Sequence, residues 1–351
     1  MYVRNAWYMA GWARDFAVGK PHAETILSEP IVLYRCDDGR MAALEDRCVH
    51  RLAPLSLGRC EGDAIRCMYH GLLFGPDGAV REIPGQDAIP RQARARAYPV
   101  IEHASAVWLW MGDPDAADPA LLPDFVGIDD PRYAMEPGRM DYQAPAKLIH
   151  DNLLDLSHLA YVHANSFVGG NREAGAQWLG ASLKTRALER GVEVERWVRD
   201  SPLNPSGGAS GHDQTVDVWS CYQFLVPGIF IQRSERHPRG SFDRWQGGRP
   251  EGEPLFLTFT CQAVTPLTEE TACYFFAYGP WAAAGELKPF FAELGRKAFN
   301  EDRVMIEAQH RTIGRSPGAR MMPLVMDKSV LAYEGVVKRL LRAEAKVEEP
   351  A

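Results

Sequence analysis

Two short strings constrain this chain more than anything else in it: Cys48-Val49-His50-Arg51 and Cys67-Met68-Tyr69-His70-Gly71. Sixteen residues separate His50 from Cys67. Each string sits where a hairpin would turn, just after a strand-like run. Four soft or borderline donors from two loop tips can enclose one metal centre. Two chemistries fit. Zinc takes two cysteines and two histidines in a tetrahedron. A two-iron, two-sulfide cluster takes both cysteines on one iron and both histidines on the other. The flanking sequence is rich in short strands. "PIVLYRCDDGRMAALED" sets two apolar runs around Asp-Asp-Gly, and "GLLFGPDGAVREI" repeats the arrangement around Pro-Asp-Gly. "ASAVWLWMGDP" is a further strand that stops at Gly112 and Pro114. Little here has helical period, so a small all-β domain is expected over residues 1–115.

The arrangement of the four donors separates the two chemistries. In zinc fingers the cysteines usually pair with each other, as do the histidines. Here each loop offers one of each, which a two-iron cluster needs if one loop is to touch both irons. The strings resemble the Rieske signature C-x-H-R…C-x-Y-H-G. Rieske proteins of respiratory complexes carry an extra cysteine in each loop, joined as a disulfide. The neighbourhoods here, "HRLAPLSLG" and "CMYHGLLF", have no such pair. That absence points to the ferredoxin and oxygenase type. The cluster, held by Cys48, His50, Cys67 and His70, is expected to relay electrons.

More than two hundred residues follow. "GDPDAADPALLPDF" is dense in proline and aspartate and reads as a boundary, so a linker is expected over 116–130 and a second domain over 131–351. From about residue 180 to 280 the pattern gives long alternating strands. "GELKPFFAELGRKAFNEDRVMIEAQHRT" has apolar residues at helical spacing, and "SVLAYEGVVKRLLRAEAKVEE" is a closing amphipathic helix. The fold class is therefore α+β: an all-β cluster domain, then a domain with an antiparallel sheet flanked by helices. "DSPLNPSGGASGHDQ" and "ERHPRGSFDRWQGGRPEGEP" read as loops, the first a candidate lid over Asp200–Gln214.

The second constellation is "HDNLLDLSHLAYVH", in which Asp155, His158 and His163 stand as D-x2-H-x4-H. On an unbroken helix the two histidines lie ~140° apart, so the helix must bend or unwind between them if they share a metal. Iron(II) oxygenases use two histidines and one carboxylate on one face of the metal. The carboxylate must come from elsewhere. "FNEDRVMIEAQ" offers Glu301, Asp302 and Glu307.

Taken together, the chain resembles the oxygenase component of a Rieske non-heme iron oxygenase, on the branch that includes vanillate O-demethylase and dicamba monooxygenase. The matching pieces are "VRNAWYMAGWA", the two cluster loops, "VWLWMGDP", "DNLLDLSHLAYVHA" and "EDRVMIEAQ". The resemblance implies a mononuclear Fe(II) held by His158, His163 and Asp302. It implies a head-to-tail homotrimer in which Asp155 links His70 of one subunit to His158 of the next, and a near-iron role for Asn152. It implies a small aromatic substrate and dioxygen, with the methyl ether of a methoxybenzoate giving a phenol and formaldehyde. The alternatives are hydroxylation of a methyl group, ring dihydroxylation, sulfonate chemistry, or a carrier with no catalytic iron. The strand block "WSCYQFLVPGIFIQRSERH" is expected to wall the pocket; Gln232, Arg233 and His237 are candidates to meet a substrate carboxylate, against the commoner reading of each as an exposed polar strand or loop residue.

Bulk properties remove other classes. A net charge of −7 without a basic tract argues against nucleic acid. The start, "MYVRNAWYMAGWARDF", is not a signal peptide, and the longest apolar runs are too short to span a bilayer, so a cytoplasmic protein is expected. Seven scattered cysteines do not form a disulfide framework. No Gly-rich dinucleotide fingerprint is present, so NADH and flavin are expected on a separate reductase.

Overall fold

The computed structural model describes residues 2–167, 172–202 and 215–348, and within it residues 172–174, 347 and 348 are described by backbone alone. The chain divides into two compact units, Met1–Leu122 with Thr265–Glu269, and Pro123–Val264 with Glu270–Ala351.

Hairpins build the first unit. His22–Ile26 (β2), Glu29–Arg35 (β3) and Met41–Glu45 (β4) form an antiparallel sheet in that order. Gly39 turns the second hairpin at φ +87°, a conformation open to glycine without the cost a side chain would add. Arg59–Glu61 (β5), Ala64–Arg66 (β6), Leu73–Phe74 (β7) and Val80–Glu82 (β8) make a four-stranded sheet. Trp7–Trp12 (β1), Ala106–Trp110 (β10) and Val100–His103 (β9) make a third. Val32, Tyr34, Leu44, Leu55, Ile65 and Phe74 pack into one core, and Cys48 and Cys67 belong to it. The proline–aspartate stretch closes the unit with two short 3-10 turns. Asp113 and Asp118 each accept a hydrogen bond from the backbone N–H two residues on.

The second unit is built on a seven-stranded sheet. Its strands are Glu136–Tyr142 (β11), Ser182–Leu188 (β12), Gly191–Pro202 (β13), Thr215–Leu225 (β14), Ile229–Pro238 (β15), Phe256–Pro266 (β16) and Ala272–Pro280 (β17). They lie in the order β11-β17-β16-β15-β14-β13-β12. The helices are Ala146–Leu154 (α1), Arg172–Leu179 (α2), Ser241–Arg244 (α3), Lys288–Arg315 (α4) and Lys328–Glu348 (α5). Helix α3 is a difference from expectation, since its segment reads as loop. Its Phe242 N–H is held by Asp217 Oδ2 at 2.9 Å, a tertiary contact invisible in local pattern.

Strand alternation sorts the sheet into two faces. Tyr222, Gln232 and Thr260 stand side by side across β14, β15 and β16. Their face receives α1 and α4: Tyr222 Oη donates to the Leu154 carbonyl at 2.7 Å, and Tyr142 Oη to that of Phe299 at 3.3 Å. Helix α4 buries Phe291, Gly295, Ala298, Phe299, Asp302 and Ile306. That spacing is one helical stripe, and one carboxylate lies in it. No helix among the described residues is long and apolar enough to cross a membrane.

Candidate active site

The cluster strings form two loops with one backbone design. Cys48 N–H donates to the Ala53 carbonyl at 2.8 Å, and Leu52 N–H to the Cys48 carbonyl at 2.9 Å. Cys67 N–H donates to Leu72 at 2.9 Å, and Gly71 N–H to Cys67 at 3.0 Å. Leu52 at φ +59° occupies the place that Gly71 holds at φ +80°. Each loop drives its cysteine into the core and its histidine out to the surface. Cys48 is 2% exposed and Cys67 1%, while His50 and His70 are exposed. The two imidazoles meet edge to face with centroids 4.5 Å apart. Desolvation raises the Cys48 thiol's pKa. Desolvation, then His50 and Arg51, lower that of His70, favouring the neutral ring that binds metal. A paired set of free thiols inside and a paired set of imidazoles outside fits a cluster whose two irons differ in ligand type.

The second centre forms where α1 ends. Leu154 closes the helix, and Asp155 is extended at φ −114° and ψ 94°. A 3-10 turn over Leu156–Ala160 carries His158, and the chain turns again before His163. This break resolves the angular conflict of an unbroken helix. One ligand atom each from His158, His163 and Asp302 all lie within 4.8 Å of one another. His158 Nε2 is 3.5 Å and His163 Nε2 is 3.3 Å from Asp302 Oδ1.

The outward nitrogens are fixed separately. His158 Nδ1 lies 2.6 Å from the Asp155 carbonyl, and His163 Nδ1 lies 3.0 Å from Glu301 Oε2. Ser166 Oγ donates to the same Glu301 oxygen at 2.5 Å. With both Nδ1 atoms so engaged, both Nε2 atoms are free to face a cation. Asn152 Nδ2 donates to Asp302 Oδ1 at 3.1 Å. Burial lowers the His158 pKa. For His163, burial is outweighed by Asp302 and Glu301, and its pKa rises. Two carboxylates around a buried imidazole favour a positive charge, which Fe(II) supplies when bound.

Residues 6–99 match the Rieske [2Fe-2S] domain family, and residues 142–343 match the vanillate O-demethylase oxygenase C-terminal domain family. The chain belongs to the Rieske non-heme iron oxygenases. It is 38% identical to the toluene-4-sulfonate monooxygenase system iron–sulfur subunit of Comamonas testosteroni, over 98% of each chain. It is 31% identical to a vanillate O-demethylase oxygenase subunit of Pseudomonas sp. (strain HR199 / DSM 7063), over 100% of this chain and 98% of the other. A solved structure of dicamba monooxygenase bound to 3,6-dichlorosalicylic acid matches with TM-score 0.84 at 29% identity, covering 98% of this chain and 99% of that one. The chain is thus a monooxygenase component of this branch, with a [2Fe–2S] Rieske cluster and a mononuclear iron as its cofactors.

The geometry assigns distinct places to the other residues singled out from the sequence of this Rieske oxygenase. Of the three candidate carboxylates on α4, Asp302 points to the histidines and Glu301 supports His163. Glu307 accepts from Gln143 N–H at 3.0 Å instead. Asp155 reaches His158 through its main-chain carbonyl. Its carboxylate accepts from Ser157 N–H at 2.9 Å and Ser157 Oγ at 3.0 Å. Gln232 is on the helix-covered face of the sheet. Arg233 and His237 are not, because odd positions of β15 point the other way. There Glu235 takes both, with His237 Nε2 at 2.8 Å and Arg233 as a close ion pair. Residues 203–214 of the expected lid lie outside the described residues.

Sequence reading missed two polar groups on the helix-covered face, Gln262 Oε1 and Tyr274 Oη. Both are buried without a hydrogen-bond partner. A buried polar atom left unpaired is costly, and a bound ligand can satisfy it. Gln262 was legible as an amide inside the run "FLTFTCQAVTP", every residue of which is buried.

Proposed function

We propose that this chain inserts a hydroxyl group into a methyl C–H bond carried by an aromatic acid, the methyl being a methoxy group in a methoxybenzoate-like substrate. The observation that supports this most is the His158–His163–Asp302 set, with Phe167 against His163 and the unpaired polar atoms of Gln262 and Tyr274 on the helix-covered sheet face. When bound there, the iron supplies dioxygen activation. The chain's own residues hold the ligand geometry: the Asp155 carbonyl and Glu301 fix the imidazole orientations, and Asn152 fixes the Asp302 carboxylate. Gln262 and Tyr274 offer unpaired polar atoms to a substrate. Phe167 packs against His163 and meets the rings of Phe299 and Tyr278, giving the site an aromatic side.

The overall change consumes dioxygen, two electrons and two protons, converting CH3 to CH2OH and releasing water. From a methoxy group the product is a hemiacetal, which collapses to a phenol and formaldehyde. A second reading, hydroxylation of a ring-bound methyl group, is favoured by the higher identity to the toluene-4-sulfonate relative. The electrons reach the cluster from NADH through a separate reductase, in the cytoplasm.

Delivery from cluster to iron runs between subunits of a head-to-tail trimer in this proposal. Exposed apolar side chains support such a docking. Leu52, Met68 and Tyr69 are exposed within the two cluster loops, and Met321, Met322 and Val325 are exposed in the second unit. Met326, close by in sequence, contacts Ser157 Oγ at 3.1 Å, next to Asp155.

The test supplies purified protein with NADH and a flavin–iron-sulfur reductase, and offers vanillate and toluene-4-sulfonate separately under labelled dioxygen. Formaldehyde with a phenol, or a labelled hydroxymethyl product, is expected. A ring diol, or reduction of oxygen with no organic product from any methyl-bearing aromatic acid, would refute the reading.

A further inference from the structure

We propose that Tyr222, Ser329 and Trp178 are positioning residues for the mononuclear iron: their donors hold open the break in α1 that turns His158 toward His163 and Asp302. The proposal rests on the reading of those last three residues as the iron set and does not depend on the substrate.

The break needs a cause from outside its own segment. The string Leu153-Leu154-Asp155-Leu156-Ser157-His158-Leu159-Ala160 holds neither proline nor glycine, and leucine and alanine are strong helix formers. Asp155 caps the turn that follows by accepting from Ser157 N–H, which begins the new turn without ending the old helix. In a helix continued through Asp155, the Leu154 carbonyl would accept the His158 N–H. Here that carbonyl accepts from Tyr222 Oη at 2.7 Å and from Ser329 Oγ at 2.6 Å. A carbonyl oxygen has two lone pairs, and both are taken. The next helical bond finds no acceptor, so the ladder stops at this oxygen.

The next two carbonyls are held as well. That of Asp155 lies 2.6 Å from His158 Nδ1, and that of Leu156 accepts from Trp178 Nε1 at 2.8 Å. Leu154 and Leu156 are buried, so water does not readily replace a donor that is removed. Because a carbonyl only accepts, His158 Nδ1 is the donor to Asp155, and the Nε2 lone pair is left for a cation. Fixing these carbonyls therefore fixes the metal-facing nitrogen.

The donors come from three separate elements, Tyr222 from β14, Ser329 from the first turn of α5 and Trp178 from α2. Each is itself anchored. The Trp178 ring lies 4.6 Å from the Arg196 guanidinium carbon, and its carbonyl accepts from Arg196 Nη1 at 3.3 Å. Tyr222 packs on the Phe230 ring at 5.0 Å, and burial pushes its phenol up to about 12, so it stays protonated and donates. Lys147 ties α1 to α5, reaching Asp151 at 2.8 Å and Glu334 at 3.0 Å. The sheet and two helices thus carry the orientation of one iron ligand.

The experiment uses cluster-loaded protein depleted of mononuclear iron and probes it with iron(II) and cobalt(II) under argon. Iron(II) affinity is read by competition with a chromophoric chelator. Ligand geometry is read from the EPR spectrum of bound cobalt(II), with the cluster oxidised and EPR-silent. For the double variant Tyr222→Phe with Ser329→Ala, iron(II) should bind on the order of 10- to 100-fold more weakly, with a changed cobalt(II) spectrum and unchanged cluster absorbance. Each single variant, and Trp178→Phe, should show a smaller loss of the same kind, and these carry the test if the double variant does not fold. Thr265→Val is the control: it removes a buried hydroxyl-to-carbonyl bond, Thr265 Oγ1 to Met9 at 2.6 Å, away from α1. It should lower the denaturation midpoint and leave both metal readouts at wild type. Wild-type iron affinity and cobalt(II) spectrum in the folded variants would overturn the proposal, as would an equal loss in Thr265→Val. The iron-set reading fails separately, if His158→Ala also binds iron(II) as the wild type does.

Discussion

Replacing Glu301 by alanine should release iron while leaving the fold and the cluster in place. Glu301 does not point at the metal site. It accepts from His163 Nδ1 at 3.0 Å and from Ser166 Oγ at 2.5 Å. A hydrogen bond to a charged group contributes about 1.5–3 kcal/mol. The Glu301 side chain is 22% exposed, so water replaces part of the loss and the lower half of that range applies. Since 1.4 kcal/mol is tenfold in an equilibrium constant, the iron(II) dissociation constant should rise about 10-fold. Losses of 10- to 100-fold are typical when the partner of a ligating histidine is removed. Glu301→Gln keeps an oxygen that accepts from Nδ1, so it should lose less than alanine. The assay is anaerobic competition with a chromophoric iron(II) chelator, with cluster absorbance followed in the same cuvette. Equal iron affinity in Glu301→Ala and wild type, at unchanged cluster absorbance, would refute the claim that this carboxylate holds the His163 imidazole in its metal-binding orientation.

His158→Ala should lose the mononuclear iron and keep the cluster's rhombic EPR signal, so iron per chain falls by one while acid-labile sulfide is unchanged; loss of both metals together would contradict two independent centres. Asp155→Asn should keep both metals yet slow cluster reoxidation by at least about tenfold, because the group next to His158 no longer carries charge; stopped-flow at the cluster absorbance band reads it, and wild-type reoxidation would remove Asp155 from the relay. His150 is buried with Nε2 unpaired, and burial pushes its pKa down to about 3. The folded chain keeps it neutral while the unfolded chain protonates it below about 6.5, so stability falls with pH between those values and the loss is about 2 kcal/mol at pH 5. His150→Phe should flatten that acid slope in denaturant titrations, and an unchanged slope would show that His150 does not set it.

Much of the active site was legible because its constraints are local. The paired Cys and His strings fold as two small loops, and the histidines at 158 and 163 needed a broken helix, which the chain supplies at Asp155. The α4 carboxylate was ambiguous from composition alone. A helical wheel separates the three candidates, since Asp302 falls in the buried stripe of Phe291, Ala298 and Ile306 while Glu301 and Glu307 do not. Two of the three candidates for the substrate carboxylate lie off the helix-covered face for a different reason. Arg233 and His237 lie within a strand whose register is set by its neighbours, and a shift of one residue reverses the face. Glu301's contact with His163 joins residues 138 positions apart, and nothing local announces it.

The burial asymmetry of the cluster loops has a consequence for traffic. The thiol side is sealed by packed side chains, and only the imidazole side reaches solvent. An electron can therefore cross a short gap in one direction only. The cluster has a single port through which it must be both charged and discharged. Under the proposed inter-subunit delivery, a reductase and an accepting iron would compete for the same small patch formed by Leu52, Met68 and Tyr69, and reduction and delivery would alternate there. A substitution that tightens either docking event should slow the whole cycle, because a partner that lingers at the port blocks the other.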